Sequence, residues 1–370
     1  MKAIKIKIYP SNSQAVLLDK HFGCCRYIYN YALNRKIKYY EENKKTLSIY
    51  QIQKDMTQLK SQPGYEWLNE VSSWALQQTT FDLESAFSMF FKKIGNFPRY
   101  KSKHHPKQSY RIPRDFEISN KRRSIKIPKL GWVAFKDKFD FKEEYDYRQI
   151  TVSKNACGDY FVSVLYVFPT KELEPRKVEF DQTLGIDLGI KTLATFSDGT
   201  KIENPKFYEQ YQTNLGNAQS IFFKKQKDSK NYWKQRKIVA RKHQKISNCL
   251  KDYLHKLSNG LVENQDYDSF AMEHLDIQSM EAKHANQVGW NMLKTMMGYK
   301  CKESGKNLLT IGKYDPSSKT CSKCGHINQK LTIYNREWEC PICKTKHDRD
   351  INAANNIKLF ATVRAEPLKL

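Results

Sequence analysis

The chain has 370 residues and carries 64 Lys and Arg against 39 Asp and Glu, a formal charge of +25 at pH 7. That surplus is outside the range of an ordinary soluble enzyme and selects a polyanion as partner, nucleic acid ahead of a membrane surface. No apolar run approaches about eighteen residues and the N-terminus is not signal-like, so a cytoplasmic protein with no membrane partner is expected; the nine cysteines suit a reducing compartment better than a disulfide framework.

In chain order, MKAIKIKIYP alternates Ile4, Ile6 and Ile8 with Lys5 and Lys7 and stops at Pro10, the pattern of a half-buried strand. Ser11 or Ser13 opens a helix through Leu17, Phe22, Tyr29 and Leu33, with Cys24 and Cys25 expected in the core. A second helical pattern runs from Trp74 to Phe91, with Gln77, Gln78 and Thr79 on or beside another face. Residues 11–96 therefore read as a helical domain inserted after the first strand, broken at Gly95, Asn96 and Pro98. Residues 99–129 hold eleven Lys/Arg against two acids, with Tyr100, Tyr110 and Phe116 interleaved. Bases could stack on such rings while the cations take phosphates, although strand packing explains each ring equally well. Short alternating runs at 124–128, 131–136 and 148–168, the last a hairpin turning at Gly158 and Asp159, complete an expected antiparallel β barrel from 1–10 and 97–180.

The texture changes at LGIDLGIKTLATFSDGTKIEN, three short strands with Asp187 in the middle of the first. A carboxylate among Leu, Ile and Gly is costly unless paired or metal-bound, and Gly185 and Gly189 permit close approach of another backbone. The alternative is an edge-strand acid facing water. Residues 207–262 form a basic helical hairpin. Ten Lys/Arg and one acid lie between 221 and 245, and an apolar stripe follows at Ile246, Leu250, Leu254, Leu257 and Leu261. It leads into the strand DSFAMEHLDI, with Glu273 at its centre, then a helix through Trp290 and Tyr299 and the strand NLLTIGKYD.

Near the C-terminus, Cys321 and Cys324 form one CxxC knuckle and Cys340 and Cys343 another, with room between for a hairpin carrying Trp338. That spacing fits a four-cysteine zinc ribbon, in which four thiolates converge from two tight turns. Asp350 then opens a helix, where an N-cap is its ordinary role. Taken with the other two acids it gains a second meaning. Two strand carboxylates and one at a helix start can hold two Mg²⁺ ions about 3.5–4 Å apart, and their mutual repulsion without metal predicts a loose metal-free geometry.

GIDLGIKTLATFSDG, IVARKHQKISNCLKDYLHKLSNGLV, AMEHLDIQSM, VGWNMLKTMMGYK, YDPSSKTCSKCG and HDRDINAANNI together resemble the TnpB proteins of bacterial insertion sequences, compact relatives of type V CRISPR effectors. With the N-terminal strand and helix and the FPRYKSK stretch, the resemblance extends over nearly the whole chain. It implies an α/β multidomain fold. A wedge β barrel (1–10 and 97–180) carries a helical recognition domain (11–96), and an RNase H-like RuvC nuclease domain (181–312 and 344–370) carries the zinc ribbon (313–343). The implied activity is RNA-guided, Mg²⁺-dependent cleavage of double-stranded DNA beside a short flanking motif, with a noncoding guide RNA, one protein per guide, nucleoid-associated when on DNA.

By motif, Asp187, Glu273 and Asp350 take the catalytic, Mg²⁺-holding positions, with Asp348 a competitor for the third. Cys321, Cys324, Cys340 and Cys343 take structural Zn²⁺. Phosphate contacts are expected from Arg99, Lys101, Lys103, Arg122, Arg123, Arg241, Lys242 and Lys245, and reading of the flanking motif from Gln77, Gln78 and Thr79. Two departures stand out. His274 and Asp276 replace the family's frequent Asp and Asn after the second catalytic Glu, and NCLKD replaces a common arginine pair. Neither removes a metal ligand. A nuclease-silent RNA-guided repressor is the alternative, argued against by the presence of all three acids; a strand-joining transposase is weaker still, because no His-x-His with a nucleophilic Tyr stands out.

Overall fold

The computed structural model describes residues 1–168, 173–273, 289–312, 314–332 and 334–364. The chain divides into two units, Met1–Thr170 and Lys171–Leu370. His274 and Asp276 lie outside the described residues.

In the first unit, β1 (Lys2–Tyr9) precedes three helices, α1 (Asn12–Asn43), α2 (Ile49–Lys60) and α3 (Ser73–Phe91). Ser11 and Gln14 form a capping box at the start of α1, each side chain accepting the other's backbone N–H. Six strands follow: β2 (Gln108–Ile112), β3 (Glu117–Ser119), β4 (Ser124–Ile127), β5 (Gly131–Phe135), β6 (Asp146–Lys154) and β7 (Tyr160–Val167). They pair in the order β2-β6-β7-β1-β5-β4-β3, antiparallel throughout. Among the described residues no pairing joins β2 to β3, so the expected closed barrel is an open seven-stranded sheet in its hydrogen bonding. The first strand of the chain is its centre, matched to β7 from Lys2↔Tyr166 to Ile8↔Tyr160. Ile6 and Ile8 are buried on one face, as the alternation requires, and α1 packs Leu18, Phe22, Cys24, Cys25 and Ile28 into the same core.

His21 sits at the middle of this core, fully buried. Its Nδ1 lies 2.8 Å from the Leu17 carbonyl, which can only accept, while its Nε2 accepts the Ser72 N–H at the start of α3 (3.1 Å). The ring is therefore the neutral Nδ1–H tautomer, stacked on Tyr110 at 5.1 Å.

The second unit begins with a meander, β8 (Thr183–Leu188), β9 (Thr192–Phe196) and β10 (Lys201–Glu203). A helical hairpin follows, α4 (Phe207–Phe223) and α5 (Lys230–Glu263), then β11 (Ser269–Met272), α6 (Trp290–Glu303), β12 (Asn307–Thr310), the short pair β13 (Glu337–Glu339) and β14 (Lys346–Asp348), and α7 (Arg349–Arg364). The sheet order is β10-β9-β8-β11-β12, with β8, β11 and β12 parallel to one another and β9 and β10 antiparallel.

The period of two sorts its side chains between two layers. Leu184, Ile186, Phe270 and Met272 face a core built with Leu250 and Leu254 of α5 and Trp290 and Met297 of α6. Ala271 and Leu309 face the other way, against Ile357 and Ala361 of α7. The stripe along α5 is less apolar than expected, because fully buried Ser258 donates its hydroxyl to the Leu254 carbonyl at 2.7 Å.

Burial, aided by the charge of Lys129, pushes the His21 pKa below its ordinary 6.5 against the pull of the Leu17 carbonyl. The unfolded chain then binds the extra proton first, so stability is full above pH 6.5 and is lost as the pH falls below it toward the depressed folded value. The melting temperature should drop between about pH 7.5 and 5.5, and the drop should be smaller in His21→Gln. An equal slope in the variant would refute the assignment.

Candidate active site and metal centre

The three carboxylates meet because of strand register. β8 and β11 run parallel with Ile186 opposite Met272, so the next positions along each, Asp187 and Glu273, emerge side by side at the carboxyl ends of the strands. Both fall on the α7 face, in phase with Gly185 and Ala271. Glu273 is thus not at the centre of its strand, as expected from the sequence, but just beyond it: β11 ends at Met272.

The third acid is delivered by α7. A Cβ on Gly185 would stand 2.0 Å from the Ala354 carbonyl oxygen and 2.9 Å from the Lys358 Cβ, so α7 can cross β8 this closely only over glycine. That approach sets Asp350, in the first turn of α7, beside the two strand ends. The three acids line one cleft of about 890 Å³, walled by the β8–β9 turn, the start of α4, Trp290, Arg336 and Arg349.

Asp348, and not Asp350, caps the helix. Its Oδ1 accepts the backbone N–H of Asp350 (3.0 Å) and Ile351 (3.1 Å), and its Oδ2 takes the Lys201 ammonium at 2.6 Å. Burial works against that carboxylate, but Lys201 and the two N–H groups hold it below its ordinary pKa. Asp350 is thereby released from capping. Arg336, just before β13, lies 3.2 Å from both of its oxygens.

Burial first, then the charges of Glu273 and Asp350, push Asp187 well above the usual carboxylate range, with Arg349 and Arg336 pulling the other way. Among the described residues, the four cysteines are the group whose metal-ligating atoms all fall within 4.8 Å of one another.

Several positioning residues were not singled out from the sequence. Ser317 donates its hydroxyl to Glu273. Asn356, buried on α7, donates to the Ser317 and Thr320 carbonyls at 2.7 and 2.6 Å. Asn352, one turn earlier, donates to the Thr320 carbonyl (2.7 Å) and accepts the Ser322 N–H (2.9 Å). One helix therefore carries Asp350 and also fixes the segment that holds Glu273. Two asparagines four apart on the apolar face of a helix were the available signal.

The knuckles close as the spacing requires. Cys321 and Cys343 Sγ are 3.6 Å apart, as are Cys324 and Cys340. Tetrahedral zinc with about 2.3 Å bonds places its sulfurs about 3.8 Å apart, whereas a disulfide needs about 2.05 Å, so these free thiols fit an ion. Gly325 (φ +75°) and Lys344 (φ +59°), each following the second cysteine of its knuckle, turn the chain so that their N–H groups donate to the carbonyls of Cys321 and Cys340. β13 pairs with β14, and buried Trp338 packs against the His347 ring at 4.7 Å, tilted by 34°.

Burial pushes the Cys321 thiol up to about 12, while the Thr345 hydroxyl and N–H draw Cys343 down to about 6. Such thiols ionise together only around a cation.

The expected nucleic-acid contacts divide. Thr79 is buried with its hydroxyl committed to the Ala75 carbonyl, so it cannot read bases. Gln77 and Gln78 stay half-buried on α3. Lys101 lies over the Tyr29 ring at 4.0 Å and Arg122 over Trp132 at 5.0 Å, while the Arg123 guanidinium is taken by the backbone carbonyls of Lys136 and Asp137. Arg99, Lys103 and Arg241 are exposed, Lys242 is half-buried, and Lys245 reaches over Tyr211 at 4.7 Å.

These features define a class: basic α/β proteins with an acidic cleft at parallel strand ends beside a four-cysteine metal site. The chain belongs to the TnpB family, the OrfB_IS605 proteins. That family's model, described as "Probable transposase", matches residues 163–283, its "Helix-turn-helix domain" matches 1–45, and the "Cas12f1-like, TNB domain" matches 290–357. A Streptomyces pristinaespiralis protein named "Putative RNA-guided DNA endonuclease" is 35% identical over 367 residues, covering 96% of this chain and 88% of the relative. Escherichia coli InsQ, carrying the same designation, is 26% identical over 377 residues, covering 96% and 91%. The fold is also similar to that of the protein in a cryo-EM Cas12f1–sgRNA–target DNA complex, with a TM-score of 0.57 at 14% identity, over 94% of this chain and 83% of that one.

Two outcomes follow from this geometry. The purified protein should carry about one zinc per chain, and Cys340→Ala should lose it, as measured by metal analysis. Asn352→Ala, which strands the Ser322 N–H and leaves the Thr320 carbonyl with Asn356 alone, should cost about 2 kcal/mol in denaturant unfolding.

Proposed function

We propose that this chain is the RNA-guided DNA endonuclease of a transposable element, cutting double-stranded DNA matched to a guide RNA beside a short flanking motif. The observation that carries the reading is the register that brings Asp187 and Glu273 together at adjacent parallel strand ends, with Asp350 laid beside them by α7. A meander continued by two parallel strands under a C-terminal helix supports an RNase H-like, RuvC-type nuclease domain at 181–312 and 344–370, with the ribbon at 313–343. The sheet from 1–10 and 97–180 takes the wedge role, and the helices of 11–96 that of recognition domain.

Asp187, Glu273 and Asp350 would hold two Mg²⁺ ions, which when bound supply an activated water and stabilisation of the leaving oxygen. The chain's own part is positioning. Ser317 orients Glu273 through one carboxylate oxygen, Asp348 keeps the helix capped so that Asp350 stays free, and Arg336 offsets the acidic charge. Lys191 and Lys206 on the cleft wall suit the phosphates of a bound strand. The zinc site is structural, joining the ribbon to α7. In such a protein guide pairing reads the target, and the protein reads backbone and flanking motif, so one chain per guide RNA is expected, in the cytoplasm and on the nucleoid when DNA-bound. A nuclease-silent repressor would not need three intact carboxylates around one cleft.

The test is a Mg²⁺-dependent plasmid-cleavage assay, using RNA that copurifies with the protein and a matched target beside a randomised flank. Asp187→Ala should bring cutting below detection while target binding by gel shift stays as in the parent. Cutting that survives the substitution would remove the assignment.

A further inference from the structure

The first unit contains a hollow that neither the acidic cleft nor the metal site uses. Its volume is about 590 Å³, and it lies along one face of α1, formed by Gly23, Arg26, Tyr27, Tyr31 and Asn34, with Trp67 opposite. Spacings of three and four put these side chains in one column. Tyr27 meets Trp67 edge-on at 5.1 Å and lies nearly parallel to Tyr31, 6.4 Å away at 16°. All three rings are only half-buried. No carboxylate pairs with the Arg26 guanidinium among the described residues.

Asn30, also on this face, binds the Lys101 N–H (2.7 Å) and carbonyl (3.0 Å), and the Tyr100 hydroxyl donates to Asn34 at 3.4 Å. The basic segment 99–103 is thereby stitched to the rim, with Arg99 and Lys103 exposed there.

Gly23 supplies an independent observation. It stands inside a 32-residue helix, where glycine is the least favourable residue after proline. A Cβ at this position would meet only the mobile end of Arg26, at 3.9 Å. Packing does not call for glycine here, and its missing side chain keeps the hollow open.

Half-exposed rings, an unpaired guanidinium, an amide and a basic rim together suit a flat base carrying a phosphate. We propose that this hollow binds one unpaired nucleotide, its base against Tyr27, Tyr31 and Trp67 and its phosphate at Arg26. The proposal rests on the nucleic-acid reading above. The nucleotide's source is either an unpaired stretch of guide RNA or an unpaired DNA strand.

The experiment uses the full chain with fluorescein-labelled oligo(U) and oligo(dT) dodecamers, read by anisotropy across a salt series. Gly23→Met removes a helical glycine and fills the hollow without changing charge. It should melt no lower than the parent and weaken binding about tenfold, with an unchanged salt slope. Loss confined to oligo(U) assigns the site to RNA, and loss confined to oligo(dT) assigns it to DNA. Parental binding of both probes by a folded variant overturns the proposal.

Should Gly23→Met melt lower, photocrosslinking of the parent chain to 5-bromouridine and 5-bromodeoxyuridine dodecamers decides. Crosslinks on Tyr27, Tyr31 or Trp67 sustain the site, and crosslinks found only elsewhere refute it. Guided plasmid cutting by the parent chain is run in parallel. Intact cutting with an inert hollow removes this inference alone, whereas Gly23-dependent binding without cutting removes the nuclease reading and leaves the nucleotide site.

Discussion

The second unit depends on how closely α7 approaches β8. At Gly185 the two backbones are near enough that no other residue fits, with the Ala354 carbonyl occupying the space of a side chain. Sheet and helix are normally kept apart by the residues between them. Here that spacer is missing at one point, and the consequence is chemical: an acid in the first turn of the helix lands beside two acids at the strand ends. Wider spacing would leave Asp350 on the surface as an ordinary helix-start residue. The same helix presents Asn352 and Asn356 to the segment entering the first knuckle, so the ribbon and the acidic cleft share one support.

Electrostatics at the cleft follow from that crowding. Asp187 is both desolvated and faced by two like charges, which holds its proton more tightly than an exposed carboxylate would. Arg349 and Arg336 counter this, while Lys201 is spent on the capping Asp348. The cluster is therefore only partly offset by its own protein, through Arg336 on Asp350 and the Ser317 hydroxyl on Glu273.

Much of this was legible in the residues. Alternation placed β1, the β6–β7 hairpin and the β8–β10 meander, and the paired CxxC spacing placed the ribbon, because these signals are local and repeat with a fixed period. What failed was decided by distant contacts. Glu273 looked central to an apolar run, but pairing with β8 and β12 stops at Met272. The ordinary alternative for Asp350, a cap, is read from position alone, and it belongs instead to Asp348, two residues earlier, which has both the geometry and a lysine from β10. Thr79 looked exposed by helical phase, yet α3 is covered on more than one side. Ser317 gave no signal, since nothing in a lone serine announces a carboxylate brought from another strand. His21 was equally silent: its role comes from the Ser72 N–H, fifty-one residues away.

The position of β1 has a consequence for how the first unit comes into being. This strand is made before its partners and is the centre of the finished sheet, yet those partners end at Phe135 and Val167. Until more than a hundred further residues have been synthesised it has no neighbour on either side, while α1 to α3 can form at once from local contacts. The nascent chain thus carries an unpaired strand, an open template for association with another chain. Lys5 and Lys7, alternating with the isoleucines, place charge along that strand, the feature that generally disfavours edge-to-edge association. In the folded protein Lys7 pairs with Asp159 at 2.9 Å and Lys5 lies over the Phe161 ring at 4.5 Å, so both cations wait for the same late stretch of chain as the strand itself.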